Sequence, residues 1–331
     1  MKSQTKEFKK RIKSAKSILI LTHKGPDLDA FCSMLATYGF LKDNFSKKEI
    51  TLLAKQQPTI NIPFMKDINI VEKIENQEAD LVIVTDASNL SLCLEDGIDT
   101  FESSNIVYLD HHSVEVEAQE IFTINEYRSS ATEQVYATFK DMFGKRLRVS
   151  KDVAELIQYG IVSDTGRFLY SMTSSDTFRI FADVKDISPI DMEEFTQKNT
   201  KFPKETTPAI IKYLESLTIE KDMAYMYIDR EDVDEINIKQ KGVNEAQSFL
   251  RDRYIRNIQG VHWGFIIKPD FDKEDSWYVS FRSTKGYQDV SNIAEELGGG
   301  GHVYASAVPM TGKSAKEVLD KVLVAVSNHQ S

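Results

Sequence analysis

The chain has 331 residues, 41% hydrophobic and 28% charged. That length favours two domains of ordinary size, each able to bury a full core. The charged fraction excludes both a membrane protein and a disordered low-complexity chain. With 51 acidic against 41 basic residues the net charge is −10, which argues against a broad electrostatic grip on long duplex nucleic acid. No apolar run approaches the ~18 residues of a membrane span, and the apolar stretch after the basic N-terminus is too short for a secretory signal. Cys32 and Cys93 stand far apart. They fit a reducing cytoplasm better than a disulfide scaffold, and both read as small core residues.

The first half alternates strand-like and helix-like segments. Ser17–Thr22 (SILILT), Ile50–Ala54, Leu81–Thr85 (LVIVT) and Ile106–Leu109 (IVYL) are short, β-rich apolar runs. Asp29–Leu41 carries Phe31, Met34, Leu35, Tyr38 and Leu41 at helical spacing. Ser130-Ala131-Thr132-Glu133 has the pattern of a capping box and opens a helix to about Phe143; Lys151–Ser163 reads as another. Continuous apolar strands alternating with helices predict an α/β domain with a mainly parallel, doubly wound sheet.

A polar stretch with Pro189, Pro203 and Pro208 interrupts the pattern. We read it as a late helix of the first domain, ending near 195, and a linker over 196–209. From 210 to 331 a smaller α+β domain is expected. Its strands are Met223–Ile228, Val261–Ile267 and Ser276–Ser283, and its helices Asn244–Arg256, Val290–Leu297 and Lys313–Asn328.

Chemistry collects where the strands of the first domain end. SILILT runs into His23, LVIVT into Asp86, and IVYL into Asp110-His111-His112. In an open parallel sheet these ends line one edge, where ligands bind. The first loop adds Asp27 and Asp29, and Asp164 follows the helix from Lys151. Singly, each aspartate reads as a cap or turn residue. Jointly, four carboxylates at one rim repel one another and raise each other's pKa unless cations intervene. An oxygen-and-imidazole set without thiolate favours Mn²⁺ or a similar ion over structural Zn²⁺. Six ligands suit two ions sharing one carboxylate.

The second domain carries Gly298-Gly299-Gly300-Gly301-His302. It follows a helix and precedes a strand, the reverse of a dinucleotide fingerprint. Such a loop lets backbone N–H groups approach an anion or a flat base, and His302 supplies a further donor. Arg282, at a strand end, can clasp a phosphate through two N–H groups. Lys285, His262 and the Arg251, Arg253, Arg256 series read as solvated or structural.

These motifs resemble the DHH phosphoesterases with a DHH-associated C-terminal domain, and most closely the bacterial nano-RNase/pAp-phosphatase branch. The resemblance rests on His23-Lys24-Gly25-Pro26-Asp27-Leu28-Asp29-Ala30, Val84-Thr85-Asp86, Asp110-His111-His112, Ser163-Asp164-Thr165-Gly166-Arg167-Phe168, and Arg282-Ser283 with Gly298–His302. They come in the family's order and span nearly the whole chain. The resemblance implies two Mn²⁺ ions, one held by His23, Asp27 and Asp86, the other by Asp29, Asp86, His111 and Asp164. Asp110 would orient a histidine and His112 would face the substrate phosphate. Arg282, Ser283, Gly299, Gly300, Gly301 and His302 would hold the substrate's phosphate and nucleotide across an interdomain cleft.

Three positions depart from the family. Gly25 stands where an Asn is usual, Leu28 where a Gly is usual, and Ala305-Ser306-Ala307 where Ala-Ala-Gly is usual. The implied activity is hydrolysis of short RNA to mononucleotides, dephosphorylation of 3′-phosphoadenosine 5′-phosphate, or both. Homodimers occur in the family. Cleavage of cyclic di-AMP or pApA is the competing enzymatic reading, and a nucleotide-binding sensor with a degenerate site the non-enzymatic one.

Overall fold

The structure is a computed structural model that describes residues 2–45, 47–55, 70–72, 79–94, 101–112 and 122–329. The chain divides into two compact units, Met1–Asn199 and Thr200–Ser331.

The first unit contains α1 (Lys2–Ser14), β1 (Ser17–Thr22), α2 (Leu28–Asn44), β2 (Glu49–Leu53), β3 (Ile70–Val71), β4 (Leu81–Thr85), β5 (Ile106–Leu109), β6 (Thr123–Ile124), α3 (Ala131–Phe143), α4 (Lys151–Asp164), α5 (Ser175–Lys185) and α6 (Met192–Thr200). The strands form one sheet in the order β3-β2-β1-β4-β5-β6, every pairing parallel. The period-2 alternation of side chains sorts each apolar run onto two faces. Ile18, Ile20, Leu81, Ile83 and Val107 join a core with α1–α5, among them the stacked rings of Phe40 and Phe139, 4.7 Å apart. Leu19, Leu21, Val82, Val84 and Tyr108 join Leu90, Cys93 and Phe101 on the opposite face. That double burial is why these strands read as unbroken apolar runs. The chain builds outward from β1 to β2 and β3, then returns to β4 on the other side. The reversal between β1 and β4 opens a crevice at their C-terminal ends.

The second unit contains α7 (Thr207–Glu215), β7 (Thr218–Glu220), β8 (Met223–Tyr227), α8 (Arg230–Glu235), α9 (Gln240–Arg253), β9 (Trp263–Pro269), β10 (Ser276–Ser283), α10 (Val290–Glu296), β11 (Gly300–His302), β12 (Ala305–Thr311) and α11 (Ala315–His329). Its sheet runs β11-β12-β10-β9-β8-β7, antiparallel except for the β8–β9 pair. Residues of α10 and α11 pack with Trp263, Trp277, Val279 and Phe281; residues of α7 and α9 pack with Met226 and Ile266.

Two segments differ from the sequence reading. Residues 196–209, read as a linker, hold the end of α6, a 3-10 turn at Lys204–Thr206 and the start of α7. The glycine run is only partly a loop. Gly300–His302 pairs with β12 as an edge strand, and Gly298, with φ +85°, makes the turn out of α10. Gly299 and Gly301 lie so close to β12 that a Cβ would fall 2.4 Å from Ala307 O and 2.6 Å from Ala305 O. Gly299 and Gly301 therefore have a packing role that sequence inspection did not assign them.

Candidate metal centre

Register places the first unit's polar residues together. Thr22 pairs with Thr85, and Thr85 with Leu109, so the next residues of β1, β4 and β5 — His23, Asp86 and Asp110 — emerge side by side. Asp86 leaves its strand in a left-handed conformation, φ +55°, while its N–H donates to Leu109 O at 3.0 Å. For a residue with a Cβ that conformation costs about 1–2 kcal/mol, and such strain gathers at functional sites.

The loop after β1 delivers the two aspartates differently. Asp27 is the N-cap of α2, accepting from Ala30 N at 2.9 Å. Asp29, in the first turn, is fully buried. It accepts from Ala131 N at 2.5 Å, Thr132 N at 3.1 Å and Thr132 Oγ1 at 2.8 Å, all at the N-terminus of α3. That helix end offers unpaired N–H groups and a positive partial charge to a carboxylate. Gly160 of α4 makes the space, since a Cβ there would fall 2.5 Å from Asp29 Oδ1.

Hydrogen bonds also orient the histidines. His111 Nδ1 lies 3.1 Å from Arg128 O, and His23 Nδ1 lies 3.0 Å from Lys24 O. A carbonyl only accepts, so Nδ1 carries a hydrogen and each neutral ring would present a bare Nε2 to the cluster. His111 Nε2 is 3.3 Å from Asp86 Oδ1 and 3.6 Å from Asp164 Oδ2; His23 Nε2 is 3.8 Å from Asp86 Oδ2. His112 Nδ1 lies 2.8 Å from Asp110 Oδ1, an oxygen that also accepts from the N–H of His111 at 2.9 Å.

Among the described residues, three sets offer ligand atoms within 4.8 Å of one another. They are His23, Asp27 and Asp86; Asp29, His111 and Asp164; and Asp86, His111 and His112. Asp86 belongs to two of them. All six residues expected from the sequence to bind metal thus lie in these sets.

Protonation reflects the crowding. Burial, then the charges of Asp86 and Asp164, push the Asp29 carboxyl well above its ordinary range. Burial, with Asp86 and Asp27, raises Asp164 to about 6 against the pull of His111. At His111 burial opposes the imidazolium, but Asp86, Asp29 and Asp164 outweigh it and raise the ring to about 10. Protons here do what cations would do. Asp86 Oδ1 is buried and accepts no well-aligned hydrogen bond, its near neighbour being the His111 ring 3.3 Å away, an arrangement that a cation would satisfy better. Oxygen and imidazole donors, a poorly satisfied carboxylate oxygen and no thiolate in these sets fit a hard or borderline divalent cation. Burial pushes the thiol of Cys32 well up and that of Cys93 to about 12, which leaves both inert.

The departures at Gly25 and Leu28 have local explanations. Gly25 adopts φ +60°, a left-handed position that Asn, the family's usual residue, also tolerates. Leu28 is buried in the first unit's core.

Sequence inspection missed the groups behind the cluster. The capping box forms only in half: Ser130 Oγ accepts from Glu133 N at 3.1 Å. The Glu133 carboxylate turns instead to Arg128, Ser129 and Thr177. Glutamate three residues after the cap was the available signal, but the pattern points to the wrong partner.

In the second unit Arg282 of β10 and His302 of β11 both pair with Ala305 of β12. They therefore share one row and one sheet face, two strand spacings apart, roughly 10 Å. Arg282 Nε lies 3.4 Å from Asp252 Oδ1, and Arg251 binds the same carboxylate through two nitrogens at 2.8 and 2.6 Å. Ser283 is buried and His302 exposed. His262 stacks on Tyr287 at 3.7 Å, in keeping with its structural reading.

A parallel sheet with this carboxylate–imidazole rim resembles the catalytic domain of DHH-type phosphoesterases. Residues 17–161 match the model of the DHH family, N-terminal domain, and the chain carries that domain. Over 295 residues it is 26% identical to the bifunctional oligoribonuclease and PAP phosphatase NrnA of Bacillus subtilis (strain 168), covering 88% of each chain. Over 299 residues it is 26% identical to a probable NrnA of Streptococcus mutans, covering 89% of this chain and 90% of that one. The crystal structure of an exopolyphosphatase-related protein from Bacteroides fragilis shares the fold, with a TM-score of 0.77 and 22% identity, covering 99% of this chain and 96% of that one. No helix among the described residues is long and apolar enough to cross a membrane.

Proposed function

We propose that this chain hydrolyses short oligoribonucleotides to mononucleotides, and 3′-phosphoadenosine 5′-phosphate as a second substrate, with two Mn²⁺ ions. The observation that carries the reading is Asp86, a buried carboxylate that shares one ligand set with His23 and Asp27 and another with His111, itself a member of the set with Asp29 and Asp164. His23, Asp27 and Asp86 would hold one ion, and Asp29, Asp86, His111 and Asp164 the other. When bound, such ions supply Lewis acidity and acidify water.

The chain's own groups do the rest. Asp29 and His111 are held by hydrogen bonds that keep their ligand atoms aimed inward. Asp110 accepts from Nδ1–H of the exposed His112 ring and raises its pKa, favouring the imidazolium, whose Nε2–H can donate a hydrogen bond to a phosphoryl oxygen. Asp110 stays ionised while it does so. Burial opposes the charge, but His112 and two backbone N–H groups hold the carboxyl below its usual range. Arg282, Ser283 and the Gly299–His302 strand would bind the substrate's terminal phosphate and nucleotide. A net acidic charge unsuited to duplex binding agrees with a short substrate, and two reduced, buried cysteines agree with a cytoplasmic setting. The names of the relatives support the substrate pair.

The test is a panel of 5′-labelled di- to pentaribonucleotides, pAp, pApA and cyclic di-AMP, with purified full chain and Mn²⁺. Mononucleotide release from the short RNAs and phosphate from pAp support the reading. Turnover confined to cyclic di-AMP or pApA would replace the substrate. Tight nucleotide binding without turnover would make the protein a sensor.

A further inference from the structure

Behind the ligand sets lies an ion pair whose carboxylate is shut away from solvent. Glu133, in the first turn of α3, is 1% exposed. Its Oε1 accepts from Arg128 Nη1 at 3.0 Å; its Oε2 accepts from Ser129 Oγ at 2.5 Å and Thr177 Oγ1 at 2.9 Å. Arg128 also reaches Glu126 Oε2 at 2.6 Å. A buried carboxylate needs partners of this quality, and removing one partner is far more damaging than never having had the pair.

The choice of partners matters because the side chain had a local alternative. At this position of α3 a glutamate ordinarily reaches back to the N-cap N–H. Glu133 forgoes that bond and clamps residues 128 and 129 instead, tying them to α5 through Thr177. The clamped backbone supplies the oriented contacts behind the second ligand set: Arg128 O to His111 Nδ1, and Ala131 N and Thr132 N to Asp29.

We propose that Glu133 is a positioning residue for the metal centre, acting through the 128–132 backbone to hold His111 and Asp29 in their ligand poses. The inference rests on the proposed reading of those two residues as metal ligands. Partners standing behind metal ligands typically govern affinity by about 10–100-fold.

The experiment uses the full chain in three forms besides wild type. Glu133→Ala removes the clamp. Arg128→Met with Glu133→Met replaces the ion pair by apolar side chains and leaves neither charge of the pair behind, so one folded variant is available if the first unfolds. Glu133→Gln is the conservative rescue, because its oxygen can serve Arg128 and its NH₂ can donate to the two hydroxyls. Two readouts are taken: Mn²⁺ affinity by calorimetry, and, in the metal-free protein, the NMR resonance of the His111 Nδ1–H, slow to exchange while bonded to Arg128 O. The expected result is loss of the protected Nδ1–H and about tenfold or weaker Mn²⁺ binding in the folded clamp-free variants, with both restored by Gln. A folded clamp-free variant that keeps the protected proton and wild-type affinity overturns the proposal. Failure of wild type to bind Mn²⁺ would refute the proposed function instead, while the Nδ1–H resonance still judges Glu133.

Discussion

Among single residues, the site is held by groups whose ordinary preferences have been overridden. Gly160 is one. In a helix interior alanine normally exceeds glycine in stability by about 0.5–1 kcal/mol. Here an added Cβ would fall 2.4 Å from Thr132 Oγ1 and 2.5 Å from Asp29 Oδ1. Gly160→Ala is therefore expected to lower the melting temperature and to weaken Mn²⁺ binding about tenfold; a stabilised variant with unchanged affinity would mean Asp29 is not held by this contact. Titration gives a second prediction. Asp164, raised to about 6, and Asp29, raised well above its usual range, hold protons more tightly folded than unfolded. Stability from these carboxyls is present at low pH and is lost as pH rises, through about 6 for Asp164. His111, raised to about 10, acts in the same direction at higher pH. Metal displaces those protons, so the melting-temperature gap between Mn²⁺-loaded and chelator-treated protein should widen from pH 5 to pH 8. A gap that narrows with pH would contradict the proton–cation exchange.

Among the helices and strands, the sequence was informative where one physical signal dominates. Ser17–Thr22, Leu81–Thr85 and Ile106–Leu109 are strands over those residues because each is apolar on both faces and sits in the middle of a covered sheet. Their polar successors follow from register alone, so His23, Asp86 and Asp110 were legible. Glu133 was not, because the same Ser-x-x-Glu spacing serves a cap or a clamp, and only the presence of Arg128 and Thr177 decides. The short strands β3 and β6, two residues each, are made by pairing with neighbours rather than by local pattern. The glycine run was read as a loop for an anion or flat base, and not as a strand, because nothing local reports that β12 lies against it. Its placement gives a prediction about the second unit's sheet. If the row through Arg282, Ala305 and His302 binds the substrate phosphate, Arg282→Ala should raise KM for a phosphorylated dinucleotide tenfold or more, in line with the ~1.5–3 kcal/mol of a charge-assisted hydrogen bond, and leave Mn²⁺ stoichiometry unchanged. Unaltered KM would remove this row from substrate binding.

Taken whole, the chain combines two separately cored units with different sheet logic. The first buries a parallel sheet on both faces and spends its strand ends on carboxylates and imidazoles. The second is mixed, and its antiparallel strands bring Arg282, Ala305 and His302 into one row. A net charge of −10 is consistent with collecting acidic side chains at a rim where bound cations would take the place of protons. The sharpest check on that idea is to count the cations. Chelator-treated wild type and Asp86→Ala should be titrated with Mn²⁺ and read by calorimetry and by electron paramagnetic resonance. Wild type should take up two ions per chain, spin-coupled through a shared ligand, and the variant should bind both more weakly and lose turnover. Two uncoupled ions, or a variant that still binds two tightly, would contradict a bridging Asp86 and the shared centre built on it.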